Sequence, residues 1–251
     1  MNTIGYVVGD FNNLPNHSVQ VRLNSKSVLP ALINYPYTAT IFVHLPCSVL
    51  SCHNLSDRKG GYAYGYTKSI VNLTRPINGK IVIHFGSTTN GGSLDNVIEF
   101  CHRLEPYLGN RQLLLENSAG QGNYMGWSLQ DLEYVYSRVD KTKIGFCFDT
   151  QHVFGAGTSH LQNIEEVREI LDSMIAITGG IDLIHLNDSK VSFASRKDSH
   201  ERLGLGYIWK DRIGLLHQTV LEFHRRGIPM IPETPDSYSD YIYTLQLLNA
   251  R

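Results

Sequence analysis

Six short apolar runs carry a histidine or a carboxylate at or beside their last residue. They are TIFVH at His44, IVIH at His84, LLLE at Glu116, GFCFD at Asp149, LIHL at His185 and MIPE at Glu233. The runs are continuously apolar instead of alternating, the pattern of parallel strands buried on both faces. A closed parallel barrel gathers the C-terminal ends of its strands at one mouth, so these side chains would meet there. Imidazole and carboxylate together suit zinc or manganese, and a carboxylate can bridge two ions. One histidine at a strand end is ordinarily a core or surface residue. Ligand-type residues at six corresponding ends ask for a common cause.

Two weaker strand candidates, 4–8 and 19–23, precede six firmer ones at 39–44, 80–84, 112–116, 144–148, 182–186 and 228–231. Helical spacing fills the later gaps. Leu94, Val97, Ile98, Cys101 and Leu104 follow Ser93, with Pro106 expected to stop the helix. Leu129, Leu132, Val135 and Tyr136 follow Ser128, with Asp131 as capping-box partner. Ile164, Val167, Ile170, Leu171 and Met174 follow Asn163, with Glu166 in the reciprocal position and Gly179–Gly180 as the close. Ile213, Leu216, Val220 and Phe223 run into Arg225, Arg226 and Gly227, and Tyr241, Leu245 and Leu248 finish the chain. Strand and helix alternate with no dividing linker. At 251 residues this predicts one domain over 1–251, a single (β/α)8 TIM barrel with its active site at the C-terminal mouth.

A formal net charge of -1 excludes a bulk polycation, so a polyanionic partner must be held by a local patch or by metal charge. Cys47, Cys52, Cys101 and Cys147 form no CxxC array and read as reduced thiols, with Cys47 and Cys52 a loose zinc-type pair. MNTIGYVVGDFNN lacks the basic and apolar segments of a signal peptide, and no apolar run approaches the roughly 18 residues of a membrane span. The expected location is intracellular, cytoplasm or nucleus.

Three further segments carry chemistry. Asp149-Thr150-Gln151-His152 places a second ligand type three residues after a strand end. The long polar stretch 187–211 contains Asp198 and His200, which in an extended loop point the same way and can chelate one ion. The same stretch supplies Lys190, Arg196, Lys197 and Arg202 as phosphate-positioning charges. In Glu116–Gly122 the glycines either let backbone approach a phosphate or simply permit positive φ. His17, His53, His102, His160, His217 and His224 fall outside these patterns and read as structural or surface residues.

The blocks ENSAGQG (116–122), GFCFDTQH (145–152), HLNDSK (185–190), RKDSH (196–200) and PET (232–234), in this order, resemble the endonuclease IV family of apurinic/apyrimidinic endonucleases. The likeness runs from about residue 39 to the C-terminus. It implies a (β/α)8 barrel with three zinc ions, manganese being admissible at one site, acting on duplex DNA with abasic sites as a monomer. His44 and His84 would hold the first ion, with Glu116 bridging to a second completed by Asp149, His185 and Glu233. His152, Asp198 and His200 would hold the third. Glu116 would also be the catalytic carboxylate in metal-assisted hydrolysis 5′ to the abasic site, leaving a 3′-hydroxyl and a 5′-deoxyribose phosphate. Trimming of 3′ ends is a companion activity the resemblance also implies. The sequence departs from the family in two places. No histidine follows Ile4-Gly5, and Cys47-Ser48 stand where the family places an aromatic and a leucine that enter the gap of the missing base. Tyr62, Tyr64 or Tyr66 of the following segment, read as a loop, would then fill it.

Two other classes compete. A metal-dependent sugar isomerase or epimerase on the same barrel accounts for Glu116, Asp149, His185 and Glu233, but needs neither His44, His84 and His152 nor the Asp198/His200 pair. A damage-binding module without turnover would not need an intact ligand set.

Overall fold

Parallel pairing joins the apolar runs side by side in chain order. In this computed structural model, which describes residues 4–8, 18–22, 40–45, 61–77 and 79–250, eight parallel strands form one sheet. They are β1 (Gly5–Val8), β2 (Ser18–Arg22), β3 (Ile41–His44), β4 (Lys80–His84), β5 (Leu113–Glu116), β6 (Ile144–Asp149), β7 (Leu183–His185) and β10 (Met230–Ile231). A parallel bridge from Ile4 to Met230 closes the circuit, so the sheet is a barrel. A short antiparallel pair, β8 (Asp188–Ser189) and β9 (His200–Glu201), lies within the polar stretch after β7. The helices are α1 (Gly61–Leu73), α2 (Leu94–Leu108), α3 (Leu129–Tyr136), α4 (Thr150–Ala156), α5 (Ile164–Thr178), α6 (Ile213–Arg225) and α7 (Ser237–Asn249).

The period of two along a strand divides the core and positions the site. Phe42, Val82, Leu114, Cys147, Leu183 and Ile231, with Val7 against them, form a cluster inside the barrel. Two residues further along the same strands, and so on the same face, stand His44, His84, Glu116, Asp149, His185 and Glu233. The intervening residues, such as Val43, Ile83, Leu115 and Phe148, face outward and share the larger core with the helices.

Strand positions follow the expectation closely; the ends differ for local reasons. β10 is only two residues long because Pro229 and Pro232 flank it and neither can donate to the ladder. β7 begins after Asp182, whose carboxylate accepts from Lys80 Nζ (2.7 Å) and Phe146 N (3.1 Å).

Four helical details correct the sequence reading. Pro106 does not end its helix: α2 continues to Leu108, held by buried Leu104 and Leu108, and Gly109 at φ 61° ends it. Asp131 does not close a box on Ser128. Ser128 Oγ accepts from Asp131 N, while the Asp131 carboxylate accepts from Gly126 N (2.8 Å). Glu166 reaches past Asn163 N to Gln162 N (3.1 Å). The segment carrying Tyr64 and Tyr66 is the helix α1, not a loop, and it buries Ala63, Thr67, Ile70 and Val71. The Tyr64 ring meets Phe100 edge-on and its hydroxyl donates to Arg103 O (3.2 Å), so it is committed to packing on α2. Cys47, Ser48 and Cys52 lie outside the described residues.

Cys101 and Cys147 are free, buried thiols whose pKa is raised by burial. Among the described residues no helix is long and apolar enough to cross a membrane.

Candidate metal centre

Glu116, at the end of β5, is the hub. Its Oε2 lies 2.9 Å from His44 Nε2 and 3.3 Å from His84 Nε2; its Oε1 lies 2.9 Å from His185 Nδ1 and 3.4 Å from His152 Nδ1. The carboxylate is fully buried. Burial works against its charge, yet the neighbouring His84 and His185 imidazoles, with the nitrogens of His185 and His44 within hydrogen-bonding distance, hold its pKa well below the ordinary range.

The remaining ligand-type residues close around this hub. His185 Nδ1 is 3.3 Å from Glu233 Oε2 and 3.8 Å from Asp149 Oδ2. Asp198 Oδ1 lies 3.3 Å from both His152 Nε2 and His200 Nε2, and His200 Nε2 is 3.7 Å from Asp149 Oδ2. All nine strand-end and loop residues singled out in the sequence therefore lie in one connected cluster. By mutual distance the donors group as His44–Glu116–His185–Glu233, as His84–Glu116–His152 and as Asp149–His152–His200. That division differs from the one implied by resemblance, which pairs His44 with His84.

The outer nitrogens explain how the rings are aimed. A carbonyl oxygen only accepts, so Nδ1 carries the proton in His44 (to Leu45 O, 2.8 Å), His152 (to Asn117 O, 2.8 Å) and His200 (to Glu233 O, 3.1 Å). In the neutral ring each Nε2 then presents a lone pair. His44 Nε2 faces Glu116, and those of His152 and His200 face Asp198, buried and without a hydrogen-bond partner. Lone pairs turned on carboxylate oxygens require positive charge between them. A second proton on the ring or a metal ion supplies it. The pKa values express the same demand. Burial opposes the charged forms of His152 and His185. Asp149 and Asp198 nonetheless raise His152 well above the usual value, and Glu233 and Glu116 raise His185 to about 9. Partial desolvation opposes the charge of half-exposed Asp198, yet His152 and then His200 depress its pKa. His84 goes the other way, its pKa lowered chiefly by burial.

Backbone architecture fixes the carboxylates. Asp149 ends β6 and caps α4 directly, its Oδ1 accepting from His152 N (2.9 Å), which is why the two ligands three apart share one pocket. Asn187 donates to Asp149 Oδ2 (2.7 Å) and accepts from Glu233 N (2.7 Å). Asn117 brackets the Asp149 backbone by donating to its O (3.2 Å) and accepting from its N (2.7 Å). The polar stretch after β7 is organised by Asp188, whose buried carboxylate accepts from the backbone N–H of Ser189, Gly204, Gly206 and Ile208 at 2.8–3.0 Å. That clasp and the β8–β9 pairing present Asp198 and His200 to the cluster. Sequence reasoning missed Asn117, Asn187, Asp188 and also Gln20, a buried residue of β2 bonded to His185 and Glu233. The first three stand inside the blocks noted above; Gln20 stands in a weak strand with no such flag.

A cavity of about 200 Å³ opens beside the cluster, lined by His84, Ser118, Ala119, Gln121, Tyr124, His152 and Asp198. In the glycine turn, Gly120 (φ 72°) and Gly122 (φ 56°) occupy left-handed backbone, and a Cβ on Gly120 would meet Trp127 at 3.1 Å. Lys190, Arg196 and Lys197 are exposed, with the Arg196 guanidinium 3.8 Å over the Trp127 ring. Arg202 is occupied differently: it pairs with Asp240 (3.2 Å) and Asp236 (3.7 Å).

A parallel eight-stranded barrel with histidines and carboxylates ringed at its mouth defines a class, and the chain matches the xylose isomerase-like TIM barrel family over residues 39–250. It is 38% identical over 211 residues to the probable endonuclease 4 of Symbiobacterium thermophilum, covering 82% of this chain and 72% of that one. The chain belongs to the endonuclease IV family. It is also 33% identical over 184 residues to apurinic-apyrimidinic endonuclease 1 of Saccharomyces cerevisiae, covering 67% of this chain but 48% of the yeast protein. Among solved structures, endonuclease IV from Thermus thermophilus superposes with a TM-score of 0.70 at 22% identity over 92% of this chain and 87% of that one. A D-tagatose 3-epimerase-like protein reaches 0.69 at 18% identity, covering 92% and 86%. At these identities the two superpositions speak to the fold alone.

Proposed function

We propose that this chain is a zinc-dependent apurinic/apyrimidinic endonuclease of base excision repair. It hydrolyses the phosphodiester 5′ to an abasic site in duplex DNA, leaving a 3′-hydroxyl and a 5′-deoxyribose phosphate, and trims blocked 3′ ends at the same centre. It acts within the cell as a monomer of one barrel domain over 1–251. The observation that carries this reading is the aim of the imidazoles. Their outer nitrogens are fixed by acceptors and their inner ones are turned on carboxylates, buried Glu116 and half-exposed Asp198, an arrangement built for cations.

The donor set fits zinc: imidazole nitrogen and carboxylate oxygen, buried except for His200 and Asp198 at the rim, with outer-shell partners in place. His44, His84 and Glu116 would hold one ion; Glu116, Asp149, His185 and Glu233 a second; His152, Asp198 and His200 a third, with manganese able to replace zinc at one of them. Bound there, the metal cluster supplies Lewis acidity, acidifying water and neutralising charge on the scissile phosphate. Glu116, held ionised at the hub, orients the attacking water in line with the phosphorus. Asn187 and Asn117 keep Asp149 and Glu233 in place while the phosphate enters. Lys190, Arg196 and Lys197, on the loop carrying Asp198, meet the DNA backbone, with Arg202 at the edge of that surface. An abasic nucleotide is easier to unstack than an intact one, which favours its extrusion into the mouth.

The test is a nicking assay on a duplex with one tetrahydrofuran site, with metal analysis on the same sample. Single-site incision and close to three zinc ions per chain are expected. One or two ions, no incision and turnover of a ketose would establish the epimerase reading instead. Tight binding without incision would establish the binding module.

A further inference from the structure

Gln20 lies on β2 between Val19 and Val21, which face the helical core, so its own side chain points into the barrel, where it is fully buried. There it meets two ligand-type residues from the opposite end of the chain. Its Oε1 is 2.8 Å from His185 Nε2, and its Nε2 donates to Glu233 Oε1. The partners leave one orientation for the amide. A carboxylate oxygen cannot donate, so the NH2 end must face Glu233 and the carbonyl must face His185. His185 Nε2 then carries the proton, and Nδ1 is the nitrogen turned on Glu116, Glu233 and Asp149.

His44, His152 and His200 are each aimed by a backbone carbonyl, whereas His185 takes its acceptor from a side chain. A backbone acceptor is set by the fold; a side-chain acceptor can be changed by one substitution. We infer that Gln20 is a positioning residue for the second metal site, setting the tautomer of His185 and the rotamer of Glu233 together. The inference rests on the metal-centre reading above and deepens it. The ordinary alternative is a buried amide that merely satisfies itself on the nearest polar groups, and it predicts no effect on metal.

Two variants and one measurement on the unaltered protein decide between them. Gln20→Leu and Gln20→Met keep the volume and remove both hydrogen bonds. Each should weaken zinc retention against a chelator by about 10–100-fold at one of the ions, the range for losing an outer-shell partner. The visible spectrum of the cobalt-substituted protein should shift, with far-UV circular dichroism unchanged. Zinc retention and cobalt spectra equal to those of the unaltered protein would overturn the proposal. Should both variants fail to fold, long-range 1H–15N correlation on the zinc-loaded unaltered protein reads the His185 tautomer directly. Nε2–H supports the assignment and Nδ1–H overturns it. Failure of the unaltered protein to bind zinc at all would instead strike the metal-centre reading, so the two failures are distinguishable.

Discussion

Nδ1 of His185 lies 2.9 Å from Oε1 of Glu116, although 69 residues separate them. Their strands, β7 and β5, are not neighbours, since β6 stands between them. The contact is made across the mouth of the barrel, between two fully buried side chains. A carboxylate removed from water in this way depends on its partners for compensation, and those partners are all imidazoles among the described ion pairs.

Replacing a ligand should therefore remove activity without removing the fold. His185→Ala and Glu233→Ala should each lower single-site nicking by more than ~100-fold, the upper figure for an outer-shell partner, with far-UV circular dichroism unchanged. Normal turnover in either would contradict the site assignment.

The basic residues divide into two groups with separable readouts. Neutralising the exposed Lys190, Arg196 and Lys197 to glutamine should make the plot of log binding constant against log salt shallower by about 3 in slope. Arg202→Gln should leave the slope nearly unchanged, because Asp240 and Asp236 already occupy that guanidinium. Its cost should fall on stability, about 1–3 kcal/mol for a charged hydrogen bond lost at buried Asp240. A salt slope unchanged in the triple variant would remove those residues from the DNA interface.

Two glycines should respond in opposite directions to alanine. At Gly206 a Cβ would sit 2.4 Å from Ser189 O and 2.6 Å from Asp188 Oδ1, inside the clasp that organises the ligand loop. Gly206→Ala should destabilise by roughly 2 kcal/mol or more and lower zinc content, since backbone must shift. At Gly65, exposed on α1, a Cβ would meet nothing within 4 Å. Gly65→Ala should stabilise by about 0.5–1 kcal/mol. Denaturant midpoints measure both, and a stabilised Gly206→Ala would disprove the clasp.

Away from the site, Glu222 gives a pH-dependent stability term of known sign. Hydrogen bonds from Arg225 (2.6 Å) and then Arg226 (2.7 Å) lower its pKa from 4.5 to about 2, against burial. A depressed folded pKa stabilises above the unfolded value and is lost as pH falls through the folded one. The stability gap between the unaltered protein and Glu222→Gln should be full above about pH 5 and shrink steadily toward pH 2. Its size should be about 1–2 kcal/mol, discounted because Arg225 is largely exposed. A gap independent of pH would mean that Glu222 acts through packing alone.

The barrel was legible because its signals are local. Each inner strand is a continuous apolar run, and period two puts each ligand on the same face as the interior residue two positions before it, as with Val82 and His84 or Leu114 and Glu116. The helix α1 was not legible, since Gly65 and a run of tyrosines dilute the spacing of Ala63, Ile70 and Val71, the residues it buries in the core. Helix α4 was hidden because Asp149 serves at once as the last residue of β6 and the cap of the helix. Pro106 misled because the burial of Leu104 and Leu108 outweighs the hydrogen bond the proline omits.

What the sequence by itself determined is which residue types stand at the strand ends and in the loop after His185. Backbone periodicity and side-chain chemistry are properties of neighbouring residues. What only the tertiary structure decided is how those residues are aimed: the carbonyls that accept from the outer nitrogens, the Asp188 clasp, the diversion of Arg202 to Asp240, and the reach of Gln20 to His185 and Glu233. Each of these is a hydrogen bond or ion pair whose geometry exists only in the folded chain, and barrel closure makes the longest of them, between Gln20 and Glu233, 213 residues apart.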